Sequence, residues 1–326
     1  MANTDDAHKS ENVGIIGSGL IGRSFAMLFA AAGYRPCIYD IKESQLDDAL
    51  ADTRKQLADL EKHGLLRGSL SAAEQHERIS TTNDLAECVS DVFYIQECVY
   101  EREELKRSVW EKVDPMVGEN TILASSASAI VPSKLSEGLV HRNNFIVVHP
   151  TNPPFYAPLV EIIPAPWTEA GIVQKVKALM TELGQSPVVL KKEIEGFVLN
   201  RIQYSIIGEY MRLLKEGIMS VEDLDKVMTD GLGVRYAFNG PLMTAYLNAE
   251  GFYEYGEKYR DMIFGIQKSF GEPIKMEGDI LKQMQDEITR VVPMDAIHER
   301  RAKRDLRLTA LSKLKKEMDR KDSENS

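Results

Sequence analysis

The first half of the chain alternates short apolar runs with longer helical stretches. Residues 13–16 are a compact β-favouring run, and 20–32 read as an apolar helix rich in Ala, Met and Phe that Gly33 ends. Residues 35–39 read as a second strand and 44–63 as a long polar helix. Further strands are predicted over 92–95, 121–124, 145–148 and 159–163, with a helix over 103–113. Short buried strands separated by helices need crossover connections, so the strands lie mostly parallel with helices on both faces. The first half is therefore expected to be an α/β unit with a doubly wound sheet.

After Lys192 the pattern changes. Residues 197–214 carry an apolar stripe at helical spacing, through Leu199, Ile202, Ile206, Tyr210 and Leu213. Phe197, Val198, Ile207, Met211 and Leu214 make the other sides apolar too, so this helix is expected to be buried on most sides, as in a subunit interface. Ser220 followed by Asp223 resembles a capping box opening the next helix. Strand signals of comparable strength do not follow. The predicted organisation is a disordered tail over 1–11, a nucleotide-binding domain over 12–193 and an all-helical C-terminal domain over 194–326. The charge-rich end from Glu299 is expected to be a helix with a solvated face.

Gly17-Ser18-Gly19-Leu20-Ile21-Gly22 fits the GxGxxG pattern. The pattern alone is weak, but here a strand precedes it, a helix starts inside it and an acid ends the next strand. Gly17 suits a tight turn, Gly19 a close approach of backbone to pyrophosphate, and Gly22 close helix–strand packing. The helix start offers unpaired N–H groups and positive potential to phosphates, with Leu20 and Ile21 as backbone contacts. Asp40 is placed to accept hydrogen bonds from ribose hydroxyls and to repel a 2′-phosphate, which favours NAD over NADP. The alternative is a glycine-rich turn that binds nothing, with Asp40 as a helix cap. With its context, the motif makes the fold Rossmann-type.

Composition narrows the function. Apolar residues are 43% and charged residues 28%, an ordinary globular mix, and the net charge is −10. An acidic chain with no basic stripe argues against nucleic-acid binding. The longest apolar runs fall short of the ~20 residues that span a bilayer, and the N-terminal residues lack a secretory pattern. Cys37, Cys88 and Cys98 have no metal-ligand spacing and read as small core residues in a reducing compartment, so no metal and a cytoplasmic location are expected.

Alcohol oxidation by hydride transfer needs a base for the hydroxyl proton and polar groups to hold the oxygen. Of six histidines, His149 stands out at the end of an apolar strand, where a parallel sheet binds ligands. A single strand-end histidine can equally be structural. The segments Ser125-Ser126-Ala127-Ser128, His149-Pro150-Thr151-Asn152-Pro153-Pro154, Leu159-Val160-Glu161 and Gly196-Phe197-Val198-Leu199-Asn200-Arg201 resemble the L-3-hydroxyacyl-CoA dehydrogenases. Within that family the resemblance is to the lambda-crystallin branch. It is carried by Ile21-Gly22-Arg23-Ser24, Ile95-Gln96-Glu97-Cys98-Val99, Val131-Pro132-Ser133-Lys134-Leu135 and Gly231-Leu232-Gly233-Val234-Arg235-Tyr236-Ala237-Phe238.

The resemblance implies an NAD-dependent dehydrogenase with His149 as base and Glu161 as the acid that orients it. It also implies Ser128 and Asn200 as holders of the reacting oxygen, Glu101 and Lys106 near the nicotinamide end, and a homodimer. Read alone, Ser128 could cap a helix, Glu161 could be a paired structural acid and Asn200 a buried helix residue. The branch implies a free 3-hydroxy acid, L-gulonate foremost. Residues 44–63 agree, with three cations against five acids, or −2, a poor seat for polyanionic coenzyme A. Arg235 is the candidate cation for a substrate carboxylate. The rival readings are a short-chain 3-hydroxyacyl-CoA dehydrogenase and a crystallin-like NADH-binding structural protein.

Overall fold

The computed structural model describes residues 9–324. The chain forms two compact units, one reaching through Asn200 and resuming at Arg304, the other Arg201–Lys303. The first unit begins β1 (Asn12–Ile16), α1 (Leu20–Ala31), β2 (Arg35–Tyr39), α2 (Glu43–Lys62), α3 (Ala72–Glu77), β3 (Ser80–Thr82), α4 (Leu85–Val89) and β4 (Val92–Glu97). It continues with α5 (Glu103–Val113), β5 (Ile122–Ser125), α6 (Pro132–Ser136), β6 (Phe145–Pro150), β7 (Leu159–Pro164), α7 (Ala170–Glu182) and β8 (Ser186–Val189).

The eight strands form one sheet in the order β3-β2-β1-β4-β5-β6-β7-β8. All neighbours are parallel except β6 and β7. The order reverses between β1 and β4, which opens a crevice beyond the carboxyl end of β1. The expected mostly parallel α/β sheet is thus present. Two strands, β3 and β8, had no sequence counterpart: one is three residues rich in Ser and Thr, the other four residues with a proline.

α1 is apolar nearly all round because it is enclosed. Phe25 through Ala30 are fully buried between the sheet and its neighbours. Each large side chain there contributes roughly 1.5–3 kcal/mol of burial. α2 covers the same layer with one face only, through Leu46, Ala49, Leu57 and Leu60 at helical spacing. Trp110 of α5 packs edge-on against Phe145 of β6 in the opposite layer.

α8 (Leu199–Lys215), α9 (Val221–Lys226), a π-helical turn (Val227–Leu232), α10 (Gly233–Tyr236), α11 (Pro241–Leu247), α12 (Phe252–Lys268), α13 (Gly278–Val291) and α14 (Ile297–Glu324) follow. The expectation that the first long helix is buried on most sides is not met within one chain. Met211 and Leu214 are buried, but Ile202 is 58% exposed and Ile206 37%. α10 to α13 have no buried residue, because their apolar side chains face outward.

The compact units divide at Asn200, close to the boundary expected after 193, because Leu199 N donates to Glu161 and Asn200 Nδ2 to Ser128 O in the first unit. The charged C-terminal helix is not wholly solvated. From Arg304 it belongs to the first unit, with Thr309 buried and Leu308 packed on the core. Of the tail predicted over 1–11, residues 1–8 lie outside the described residues. Lys9 to Glu11 are tied down: Lys9 N donates to Gly33 O at 3.0 Å, Arg35 N donates to Glu11 O at 3.1 Å, and Lys9 pairs with Glu182. Among the described residues no helix is long and apolar enough to cross a membrane.

Candidate active site

The glycine loop leaves β1 at Ile16 and enters α1 at Leu20. Gly17 has φ +109°, a conformation that side chains resist, and a Cβ there would meet Cys98 O at 3.0 Å. A Cβ on Gly22 would stand 1.9 Å from Gly17 O. The loop's own packing thus accounts for these two glycines. It does not account for Gly19, whose φ is −68° and whose missing Cβ would meet nothing within 4 Å. The space above Gly19 suits a ligand that must approach the backbone. Leu20, Ile21 and Gly22 open α1, so their N–H groups lack helical acceptors and face that space with the positive end of the helix.

Asp40 follows β2 beside this loop. Its Oδ2 accepts from Ser18 N at 3.1 Å and Ser18 Oγ at 2.6 Å, and its Oδ1 accepts from Lys42 N at 3.2 Å. Arg23 braces the loop from behind: Nε donates to Ser18 O at 2.7 Å, and its guanidinium pairs with Asp52 of α2 at 3.1 Å. The sequence assigned no role to Ser18, an unspecified position of the glycine pattern, or to Arg23, which follows its last glycine. Together these groups fit a dinucleotide, with open backbone at the phosphate position and a fixed carboxylate one strand away.

The antiparallel pairing of β6 with β7 sets His149 directly opposite Glu161. His149 Nδ1 lies 2.9 Å from Glu161 Oε2, both side chains being almost fully buried. Glu161 Oε1 accepts two backbone bonds, from Val198 N and Leu199 N, each at 2.9 Å. Those amides begin α8, so Glu161 also occupies the positive end of a 17-residue helix. Burial alone would push the Glu161 carboxyl up. The hydrogen bond from His149 and the amides of Leu199 and Val198 outweigh it and hold the group below the usual carboxylate range. An ionised Glu161 can only accept, so His149 Nδ1 carries the proton and donates to it, which leaves Nε2 as the free acceptor.

The turn that presents the two amides is strained. Gly196 has φ +72°, and Phe197 has φ +48°, which a non-glycine residue adopts only when its surroundings enforce it. Phe197 is fully buried, with its ring 5.4 Å from that of His149. The positive φ is therefore held by packing against the histidine it helps to position.

Ser128 and Asn200 also come together. Asn200 Nδ2 donates to Ser128 O at 2.7 Å. Ser128 does not cap the next helix, whose N-cap is Val131. Glu101 Oε1 accepts from Ser128 N at 2.7 Å and Ala129 N at 2.9 Å, so Glu101 clamps the Ser128 loop. Lys106 lies 3.6 Å from Glu101 and 2.9 Å from Glu97, and is 1% exposed. The sequence expectation placed Glu101 and Lys106 as cofactor contacts. They sit side by side at the Ser128 loop: Glu101 is partly exposed there, and Lys106 is closed off from solvent with its ammonium engaged by Glu97 and by Val99 O at 3.1 Å.

Glu97 is the group that sequence reasoning missed. It is fully buried, accepts from Lys106, from Val99 N at 2.7 Å and from Ser125 Oγ at 2.6 Å, and sits at the end of β4. Its signals were an acid closing an apolar strand and its place in the Ile95-Gln96-Glu97-Cys98-Val99 segment. Arg235 lies in α10 of the second unit and is exposed.

The 3-hydroxyacyl-CoA dehydrogenase NAD-binding domain matches residues 12–194, and the C-terminal domain of the same family matches 196–287. The chain belongs to the 3-hydroxyacyl-CoA dehydrogenase family. Its cofactor is NAD, and it is an NAD-dependent oxidoreductase of the 3-hydroxy acid and hydroxyacyl class. It is 49% identical to lambda-crystallin of Oryctolagus cuniculus over 306 residues, covering 93% of this chain and 96% of the relative. It is 34% identical to an L-carnitine dehydrogenase of Oceanobacillus iheyensis over 73% of this chain and 76% of that one. Among solved structures, FHMPC 5-dehydrogenase, an NAD+-dependent dismutase, superposes with a TM-score of 0.81 at 23% identity, covering 94% of this chain and 98% of that one. The last likeness speaks to the fold of this 3-hydroxyacyl-CoA dehydrogenase family member.

Proposed function

We propose that the protein oxidises the 3-hydroxyl of a free 3-hydroxy acid, L-gulonate foremost, with His149 as general base. The observation that carries this is the His149–Glu161 pair clamped by the start of α8, which leaves His149 Nε2 as an acceptor for a hydroxyl proton. Bound NAD supplies the hydride acceptor. His149 Nε2 takes the hydroxyl proton, and the ionised Glu161 stabilises the resulting imidazolium at 2.9 Å. Ser128 and Asn200 hold the oxygen as it becomes a carbonyl. The Asp40 carboxylate accepts from the adenosine ribose hydroxyls and disfavours a 2′-phosphate.

A free acid is favoured over a coenzyme A ester by α2. From Glu43 to Lys62 it carries six acids against three cations, which repels a polyanionic tail. Arg235 is proposed to pair with the substrate carboxylate, since its guanidinium is exposed and its fork matches that group. The second reading, a 3-hydroxyacyl-CoA substrate, rests on the family match.

A panel of L-gulonate, L-carnitine, 3-hydroxybutyrate and 3-hydroxybutyryl-CoA, each with NAD and NADP, separates these. The free acid with NAD should exceed the CoA ester in kcat/KM by tenfold or more, and the CoA ester leading would overturn the reading. Arg235→Met should raise KM for the free acid by about tenfold or more, from a charge-assisted pair of ~1.5–3 kcal/mol. An unchanged KM would remove Arg235. Tight NADH binding without turnover on any member of the panel would favour a structural role.

We also propose a homodimer formed through the second unit. Phe264 (62% exposed), Leu242 (73%) and Tyr253 (95%) belong to a set of outward apolar side chains larger than a soluble monomer usually leaves in water. Sedimentation at micromolar concentration should return twice the chain mass; a monomer would refute the dimer.

A further inference from the structure

An open groove of ≈ 1130 Å³ lies in the first unit, between the loop after α2 and the C-terminal half of α14. Neither the glycine loop nor Asp40, Ser128 or His149 lines it. Five cationic side chains line it against three carboxylates, in a chain whose net charge is −10. Of the cations, Lys9 is taken up by Glu182, and Arg320 has Glu324 at 3.8 Å. Among the described residues, Arg67, Lys313 and Lys316 have no carboxylate within ion-pair distance; Lys313 Nζ donates to Gly64 O at 3.3 Å, whereas Arg67 and Lys316 stand together.

The surroundings of these two cations are built rather than incidental. Arg67 is partly buried, lies over the Phe155 ring at 4.9 Å, and is aimed by a bond from Nη1 to Gln185 Oε1 at 2.9 Å. A Cβ on Gly184 would stand 3.8 Å from Arg67 Nη1 and 3.9 Å from Lys316 Nζ, so the two heads are less than about 8 Å apart. Burial lowers the Arg67 pKa to about 10, and burial together with Arg67 lowers that of Lys316. Two like charges held together without a counter-charge destabilise the empty protein. Two charge-assisted bonds of about 2.8 Å, plus the width of a tetrahedral oxyanion, span such a gap.

We propose that this groove is an anion site in which Arg67 and Lys316 grip a phosphate group, free or carried on a small metabolite. Arg67 supplies the planar fork and Lys316 a point charge, the usual division between these side chains at phosphates. Occupancy would tie α14 to the loop after α2 and the end of α7, all within the first unit.

The test is thermal unfolding of the full chain with saturating NADH, which fills the phosphate position of the glycine loop. Inorganic phosphate and a sugar phosphate are titrated separately at ionic strength held constant with sodium chloride. The wild type should gain roughly 2–4 °C at about tenfold excess over Kd. The arm with the lower half-saturating concentration identifies the source. Lys316→Gln should raise the Tm in phosphate-free buffer, since it removes the repulsion, and should lose at least half of the phosphate response. Arg67→Lys keeps the charge and the stem over Phe155, and should weaken the response by losing the fork. No response in the wild type, or an equal response in the wild type and Lys316→Gln, would overturn the proposal.

Discussion

His149→Gln is expected to lower kcat for oxidation of the 3-hydroxy acid by about 10²–10⁴-fold, the usual contribution of a positioned general base. Glutamine keeps a polar side chain of similar reach but cannot take a proton at neutral pH. Glu161 would keep its two amide donors from Val198 and Leu199, so the start of α8 should stay in place. Among the described residues His149 bonds to Glu161 and stacks near Phe197, not to the glycine loop or Asp40, so NADH binding measured by fluorescence titration should change by less than about threefold. Loss of turnover with retained NADH binding is the signature of a base. Turnover within tenfold of wild type would remove His149 from that role, and a parallel loss of NADH binding would mean that the histidine is structural.

The second large effect is on stability. Lys106→Met should destabilise the protein by about 3–5 kcal/mol, because it leaves the carboxylate of Glu97 buried without its counter-charge. Methionine fills the volume of the lysine stem, so the loss is electrostatic rather than a cavity. Adding Glu97→Gln removes the orphaned charge; its Oε1 still accepts from Val99 N, and its Nε2 donates to Ser125 Oγ once that hydroxyl turns to accept, so the double variant should recover much of the loss. Urea denaturation of the two single variants and the double variant closes the cycle. A Lys106→Met midpoint equivalent to less than about 1 kcal/mol of loss would contradict this account of the pair. The pair also matters to the site, since Lys106 lies against Glu101, and Glu101 holds the backbone of Ser128 and Ala129.

Much of this architecture is legible in the sequence, for local reasons. A strand buried on both faces shows as an apolar run, which is why β1 and β4 to β7 could be found, while β2, half-buried, was marked by its place between Gly33 and Asp40. A loop that must turn tightly and expose its backbone shows as glycines, which is why Gly17, Gly19 and Gly22 stood out. β3 and β8 were hidden because a strand of three or four residues at a sheet edge needs little apolar character. Glu97 was hidden because a buried acid carries no pattern of its own and gains meaning only from the lysine that neutralises it. The amides of Val198 and Leu199 were hidden because every residue has an amide, and its use depends on where the chain presents it.

The sequence by itself determined a parallel α/β nucleotide-binding unit, its dinucleotide loop and the histidine at the end of β6. Each follows from side-chain periodicity or from the backbone freedom of single residues, which act over a few positions. Only the tertiary structure decided what those residues do to one another. The antiparallel return of β7 faced Glu161 with His149, and the strained turn at Phe197 brought two amides to the same carboxylate. It also set Glu101 and Lys106 side by side, with Glu101 bracing the Ser128 loop. The physical reason is that pairing between distant segments depends on strand register and packing, which no local pattern encodes.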